Sequence, residues 1–154
     1  MPVRILIVDD HEVVREGVRM ILNKARPQWE ICGEAINGRD AIDAAANLKP
    51  DIVLLDITMP GMSGLDAASQ IARLDVAGPI LIFTMHESGE LANDAKRVGA
   101  RGYVTKSHAA RHLVLAIETL LSGGTFFGGP EKERDNPKGN PTPGITFRLG
   151  LAFS

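Results

Sequence analysis

Five side chains in this sequence could act together on a charged oxygen group: Asp9, Asp10, Asp56, Thr84 and Lys106. Each ends or follows a short apolar run. RILIV at 4–8 precedes Asp9, IVLL at 52–55 precedes Asp56, ILIFT at 80–84 ends in Thr84, and GYV lies just before Lys106. Taken singly, such an acid is the first solvated loop residue, such a lysine a surface lysine, and such a threonine a β-former or a helix cap. Their joint placement at successive strand ends changes that reading. Parallel strands deliver their carboxyl ends to one edge of a sheet, so these residues would converge on one pocket. Three carboxylates there repel one another, a conflict relieved by raised pKa values or by a bound divalent cation. Oxygen ligands without His or Cys select a hard ion, Mg²⁺ or Mn²⁺. A lysine beside them can hold a phosphate oxygen as a point charge.

The elements that must position these residues alternate along the chain. The unbroken apolar run 4–8 predicts a strand buried on both faces. Val14, Val18, Ile21 and Ala25 then recur at helical spacing over 12–25, and Pro27 closes the helix. Residues 29–35 predict a second strand, less apolar and nearer an edge, followed by a helix over 38–48 with Ala41, Ala45 and Leu48 inward. The strand at 52–55 leads through TMPGMSG into a helix over about 65–74. A strand at 80–84, a helix over about 89–98 with Gly99 as a left-handed cap, and a strand within 101–105 follow. The last helix runs over about 109–121, with Ser107 as its expected N-cap and Leu113, Ile117 and Leu120 inward. Five strands and five helices in alternation predict an α/β fold: a five-stranded, doubly wound parallel sheet with right-handed crossovers.

Composition narrows the function classes. The chain has 154 residues, 44% of them apolar and 23% charged, which is ordinary globular composition and one domain with a short appendage. A net charge of −2 offers no general attraction to nucleic acid or to an anionic membrane. No apolar run approaches the roughly 18–20 residues that span a bilayer, and the start MPVRILIVDD lacks the long apolar stretch of a signal peptide. The single Cys32 permits no intrachain disulfide and reads as a small hydrophobe, so the expected compartment is the cytoplasm. Residues 1–127 form the expected domain, and 128–144 a Pro- and Gly-rich flexible linker. Residues 145–154 alternate strictly between apolar and polar, the pattern of an amphipathic strand. That segment is expected to dock on a sheet edge or on its counterpart in a second copy, as a homodimer would.

The wording of the motifs carries a family resemblance. VDD at 8–10, LLDITMPGMSG at 54–64, FTMH at 83–86, GYVTKS at 102–107 and GGTFF at 123–127 occur in order at the right intervals. Over 4–127 the chain resembles the receiver domain of two-component response regulators, most closely the NarL-type subgroup. The resemblance implies the flavodoxin-like (βα)5 receiver fold and a phosphorylation-activated signalling switch. Asp56 would be the phosphoacceptor, taking its phosphoryl group from a partner histidine kinase, a phosphotransfer protein or a small phosphodonor. Asp10 and Asp56 would ligate Mg²⁺ with the backbone carbonyl of Thr58, and Asp9 would help through a water. Lys106 would bind a phosphoryl oxygen, and Thr84 would turn its hydroxyl onto the attached group. Tyr103 would rotate inward as Thr84 moves. The activity would be limited to the protein's own phosphorylation and dephosphorylation.

Two departures from the family pattern matter. Ser107 stands where many receivers have proline, and only residues 128–154 follow the domain, without a basic cluster or an amphipathic helix pair. The expected output is therefore contact with a downstream protein rather than DNA. His11 is expected at the mouth of the pocket, and His86 and Thr58 where they shape water access to an acyl phosphate. His108 and His112 are expected on solvated helix surface. The alternative function is a haloacid-dehalogenase-like phosphatase, which DIT at 56–58 fits loosely; but there the second acidic pair follows the nucleophile, whereas Asp9-Asp10 precede Asp56. A flavodoxin-like FMN site is disfavoured because DDHEVV would repel phosphate.

Overall fold

Strands whose every residue is apolar have two faces to bury, and the computed structural model gives them both. It describes residues 2–86 and 88–127. The order is β1 (Arg4–Val8), α1 (Glu12–Ala25), β2 (Glu30–Ala35), α2 (Gly38–Leu48), β3 (Ile52–Leu55), α3 (Gly64–Leu74), β4 (Ile80–Thr84), α4 (Gly89–Arg97), β5 (Gly102–Thr105), α5 (Ala109–Leu121) and β6 (Phe126–Phe127). All pairings are parallel, in the order β2-β1-β3-β4-β5-β6. The expected linker 128–144 and strand 145–154 lie outside the described residues. Among those described, no helix is long and apolar enough to cross a membrane.

Period-2 alternation divides the strands between two cores. Ile5, Ile7, Ile52, Leu54, Leu81 and Phe83 pack with Val18 and Leu22 of α1 and with Leu113 and Ile117 of α5. Leu6, Val8, Val53, Leu55, Ile82 and Tyr103 face the other way, onto small residues of α2, α3 and α4 such as Ala45, Ala68 and Ala95. Small residues let those three helices lie close to the sheet.

Among the described residues the sheet has six strands rather than the five expected. Phe126 and Phe127 add a two-residue strand along β5, paired Gly102↔Phe126 and Tyr103↔Phe127. Phe126 N–H donates to the Arg101 carbonyl at 3.0 Å. Two smaller expectations are also corrected. Ser107 does not cap the last helix: Lys106–His108 form a 3₁₀ turn, α5 begins at Ala109, and the position before it is His108. In α1 Val18 is buried as expected, but its buried companion is Leu22, while Ala25 is exposed. Gly99 does take the left-handed conformation, φ 101°, and β2 does lie at an edge.

The chain leaves β1 toward β2 on one side and returns to β3 on the other, so the crevice of the sheet opens between the loops after β1 and β3.

Candidate functional site

Register brings the acids together. Val8 pairs with Leu55, and Asp56 N–H donates to the Val8 carbonyl at 2.9 Å, so Asp9 and Asp56 leave adjacent strands side by side. Both are essentially buried, at 1% and 0% exposure. Thr84 pairs with Thr105 across β4 and β5, which places Lys106 one step past the same edge. The Lys106 side chain is only 8% exposed. Its Nζ lies 2.7 Å from Asp9 Oδ2 and 3.4 Å from Asp56 Oδ2.

The two oxygens of Asp56 are treated differently. Oδ1 accepts from Thr58 N–H at 3.1 Å and from the Thr58 hydroxyl at 3.0 Å. The sequence reading assigned Thr58 its backbone carbonyl; its hydroxyl contact is an addition, and no sequence signal marks it. Oδ2 accepts no hydrogen bond, and neither do the buried oxygens Asp9 Oδ2 and Asp10 Oδ1. The Lys106 ammonium is close enough to pair electrostatically with two of these atoms without a well-directed hydrogen bond to either.

Asp9 Oδ1 is held by His11, from its N–H at 2.8 Å, with His11 Nδ1 3.2 Å away. His11 Nδ1 also lies 3.2 Å from Asp10 Oδ1, and its side chain is exposed, at the pocket mouth as expected. Ligand atoms of Asp9, Asp10, His11 and Asp56 all fall within 4.8 Å of one another. Such a cluster, with one buried oxygen of each carboxylate left without a hydrogen bond, fits a hard divalent cation, because such groups are costly to bury unless something else satisfies them.

Local sequence builds the loops around this cluster. Ser63 caps α3, its hydroxyl accepting from Leu65 N–H at 3.1 Å and Asp66 N–H at 3.4 Å. A side chain at Gly64 would meet Ile57 Cα at 2.2 Å and the Asp56 carbonyl at 2.6 Å, so only glycine lets the helix start so near the acid. Beside Asp10 a cleft of about 610 Å³ opens between Asn37–Asp40 and Pro60–Met62.

Thr84 is fully buried and its oxygen accepts from His86 N–H at 3.3 Å, which leaves its proton available to donate. Tyr103 is already inward, 1% exposed, with its ring 6.3 Å from that of Phe127. Its buried hydroxyl has no hydrogen-bond partner. Lys96 of α4 lies 4.9 Å over the Phe127 ring.

His108 is exposed, as expected of a solvated position, but it lies in the 3₁₀ turn and His112 is half-buried. His108 Nδ1 is 2.7 Å from the Thr105 hydroxyl, the two rings are 5.4 Å apart, and His112 meets Phe126 at 6.0 Å. Cys32 is half-buried, and burial raises its thiol above the ordinary value, away from a reactive thiolate. Glu34 on β2 moves the other way. Burial pushes its carboxyl up, but hydrogen bonds and charge from Arg19 and Arg15 outweigh this and bring it below the ordinary value. The role of Arg15 was missed in the sequence, since its partners lie six and nineteen positions away.

Comparison with known proteins follows the same lines. Residues 5–118 match the family described as the response regulator receiver domain. The chain is 39% identical over 120 residues to the transcriptional regulatory protein YdfI of Bacillus subtilis, covering 78% of this chain and 55% of that one. It is 35% identical over 122 residues to the nitrate/nitrite response regulator protein NarL of Escherichia coli, covering 79% and 56%. It thus spans about half the length of these relatives. A crystal structure of a LuxR-family two-component response regulator from Aurantimonas sp. superposes with a TM-score of 0.80 at 39% identity, over 90% of this chain and 97% of that one.

Proposed function

This chain belongs to the response regulator receiver family of two-component systems, and from that membership we propose that Asp56 accepts a phosphoryl group and so operates a conformational switch. The observation that supports this most directly is the asymmetry at Asp56. One oxygen is anchored by Thr58, while the other accepts no hydrogen bond and faces the Lys106 ammonium.

In the transfer, a carboxylate oxygen of Asp56 attacks phosphorus. The new O–P bond forms as the P–N bond of a phosphohistidine breaks, and the electron pair leaves with the imidazole nitrogen. Phosphoryl transfer asks little of the protein beyond in-line placement and charge neutralisation. Asp10, Asp56 and the Thr58 carbonyl would hold Mg²⁺, with Asp9 acting through a water; bound there, it would supply charge neutralisation at the phosphoryl oxygens. Lys106 covers a second oxygen and is already within reach. The Thr84 proton, not used by the His86 contact, is free to donate to the attached group. The cleft beside Asp10 gives a phosphodonor its approach. Hydrolysis reverses the gain: water attacks phosphorus, the O–P bond to Asp56 breaks, and the carboxylate and inorganic phosphate result.

The attached group adds roughly −1.5 to −2 charge. Tyr103 is suited to respond, because its inward ring gains apolar burial at the cost of an unsatisfied hydroxyl, and the two terms are of comparable size. The partners are a histidine kinase or phosphotransfer protein upstream and, through the face formed by α4, β5 and α5, a protein downstream.

Incubation with acetyl phosphate and Mg²⁺ followed by intact mass measurement tests the acceptor. The wild type gains one phosphoryl mass and Asp56→Asn gains none. Equal labelling of the two would remove Asp56 from the role, and steady turnover of a general phosphomonoester would instead favour the phosphatase reading.

A further inference from the structure

Arg15 lies in the first turns of α1 with its side chain 15% exposed, and its guanidinium bridges two strands. Nη1 donates to the backbone carbonyl of Asp9 at 2.8 Å, at the end of β1. Nε donates to Glu34 Oε1 at 2.7 Å, on β2. The other oxygen of Glu34 takes Arg19, so two arginines of α1 share one carboxylate, but the Asp9 carbonyl contact is made by Arg15.

The Asp9 carbonyl belongs to the peptide plane that carries the Asp10 nitrogen. Because that unit is rigid, fixing the oxygen fixes the direction from which Asp10 Cα, and then its carboxylate, departs. The neighbouring peptides are tied on either side, by Asp9 N–H to the Ala35 carbonyl at 3.0 Å and by His11 N–H to Asp9 Oδ1 at 2.8 Å, but neither of these bonds is made by the Asp9–Asp10 peptide itself. Asp10 Oδ1 is buried and accepts no hydrogen bond, and its contact with His11 Nδ1 at 3.2 Å comes from an exposed side chain that also faces Asp9. A surface ion pair with Glu34 would not require the Asp9 contact. A fork with donors at fixed angles can serve both partners at once, which a single ammonium cannot do rigidly.

We propose that Arg15 is a positioning residue of the phosphoryl-transfer site, clamping the Asp9–Asp10 peptide against β2 so that Asp10 presents its carboxylate to the divalent cation. The inference rests on the cation-site reading above and extends it to a residue that touches neither cation nor phosphoryl group.

The test is a Mg²⁺ titration of the full chain, followed by the amide resonances of Asp10 and Asp56, with the thermal midpoint recorded for each variant. Arg15→Ala weakens Mg²⁺ roughly tenfold, the scale seen when an outer partner of a metal ligand is removed. Arg15→Lys, which can reach one partner but not brace both, weakens it roughly threefold. Arg19→Ala also loses a contact with Glu34 but none with Asp9, and it stays within about twofold of wild type, inside ordinary surface-substitution scatter. If Arg15→Ala fails to fold, Arg15→Lys decides the matter. Wild-type affinity in the folded Arg15 variants overturns the proposal, and so does an equal loss in Arg19→Ala. Binding by the wild type and loss in Asp10→Asn, with Arg15→Ala unchanged, would sink the positioning role and leave the cation site standing. Absence of binding in the wild type would remove both.

Discussion

Thr84 and Glu34 are the two side chains whose chemistry can be separated from that of the acceptor. Thr84 stands at a strand end with its oxygen occupied as an acceptor and its proton free. A hydrogen bond from it to a charged phosphoryl oxygen contributes about 1.5–3 kcal/mol, enough to shift a two-state equilibrium by about tenfold to a hundredfold. Thr84→Ala therefore still accepts phosphate, since the nucleophile survives, but with beryllofluoride its amide shifts over α4 shrink well below those of wild type. Identical shifts in the two proteins would show that the hydroxyl does not report the phosphoryl group. Glu34 contributes to acid stability. Its folded carboxyl titrates below the ordinary 4.5 because two arginines favour its charged form more than burial disfavours it. The stabilisation is thus complete above pH 4.5 and is lost as pH falls through the lower folded value. Glu34→Gln is less stable than wild type at neutral pH, and the gap closes on acidification below that point, as urea midpoints taken across the range will record.

Elements, more than residues, were legible in the sequence. Each of β1, β3 and β4 is a short run of apolar residues with a break at both ends, and their observed limits match the runs. The acid cluster was legible for the same reason: once the strands are parallel, their last residues share an edge. What escaped depended on contacts distant in sequence. Arg15 finds Glu34 only because α1 packs beside β2. Leu22 is buried because the contact stripe of α1 is wider than one line of residues, and Ser107 loses its cap role because the chain makes a 3₁₀ turn first. Loop packing at α3 gives an element-scale prediction. Gly64→Ala drives a methyl into Ile57 and the Asp56 carbonyl, costs about 1–3 kcal/mol, and slows phosphorylation by displacing the acceptor loop. Gly17→Ala, in α1 with nothing within 4 Å of the added carbon, instead stabilises by about 0.5–1 kcal/mol. Denaturant midpoints that moved in the same direction for both would contradict this.

At the scale of the whole molecule, the sixth strand sets where the domain can be cut. The end of α5 at Leu121 looks like a natural place for a stop codon, since the helix is finished and the five expected strands are complete. A protein ending there would lose Phe126, which is 7% exposed within the first core, and the Phe127 ring beside Tyr103. It would also bare the backbone of β5, a short and wholly buried strand, as an open ladder for another chain to join. Ending the chain after Phe127 preserves both. The shorter form should melt lower by at least about 2 kcal/mol, the value of burying one large apolar side chain, and should self-associate in light scattering while the longer form does not. A practical boundary for the signalling unit therefore lies six residues past the last helix. Moving a stop codon by that distance decides whether the edge of β5 is covered or open.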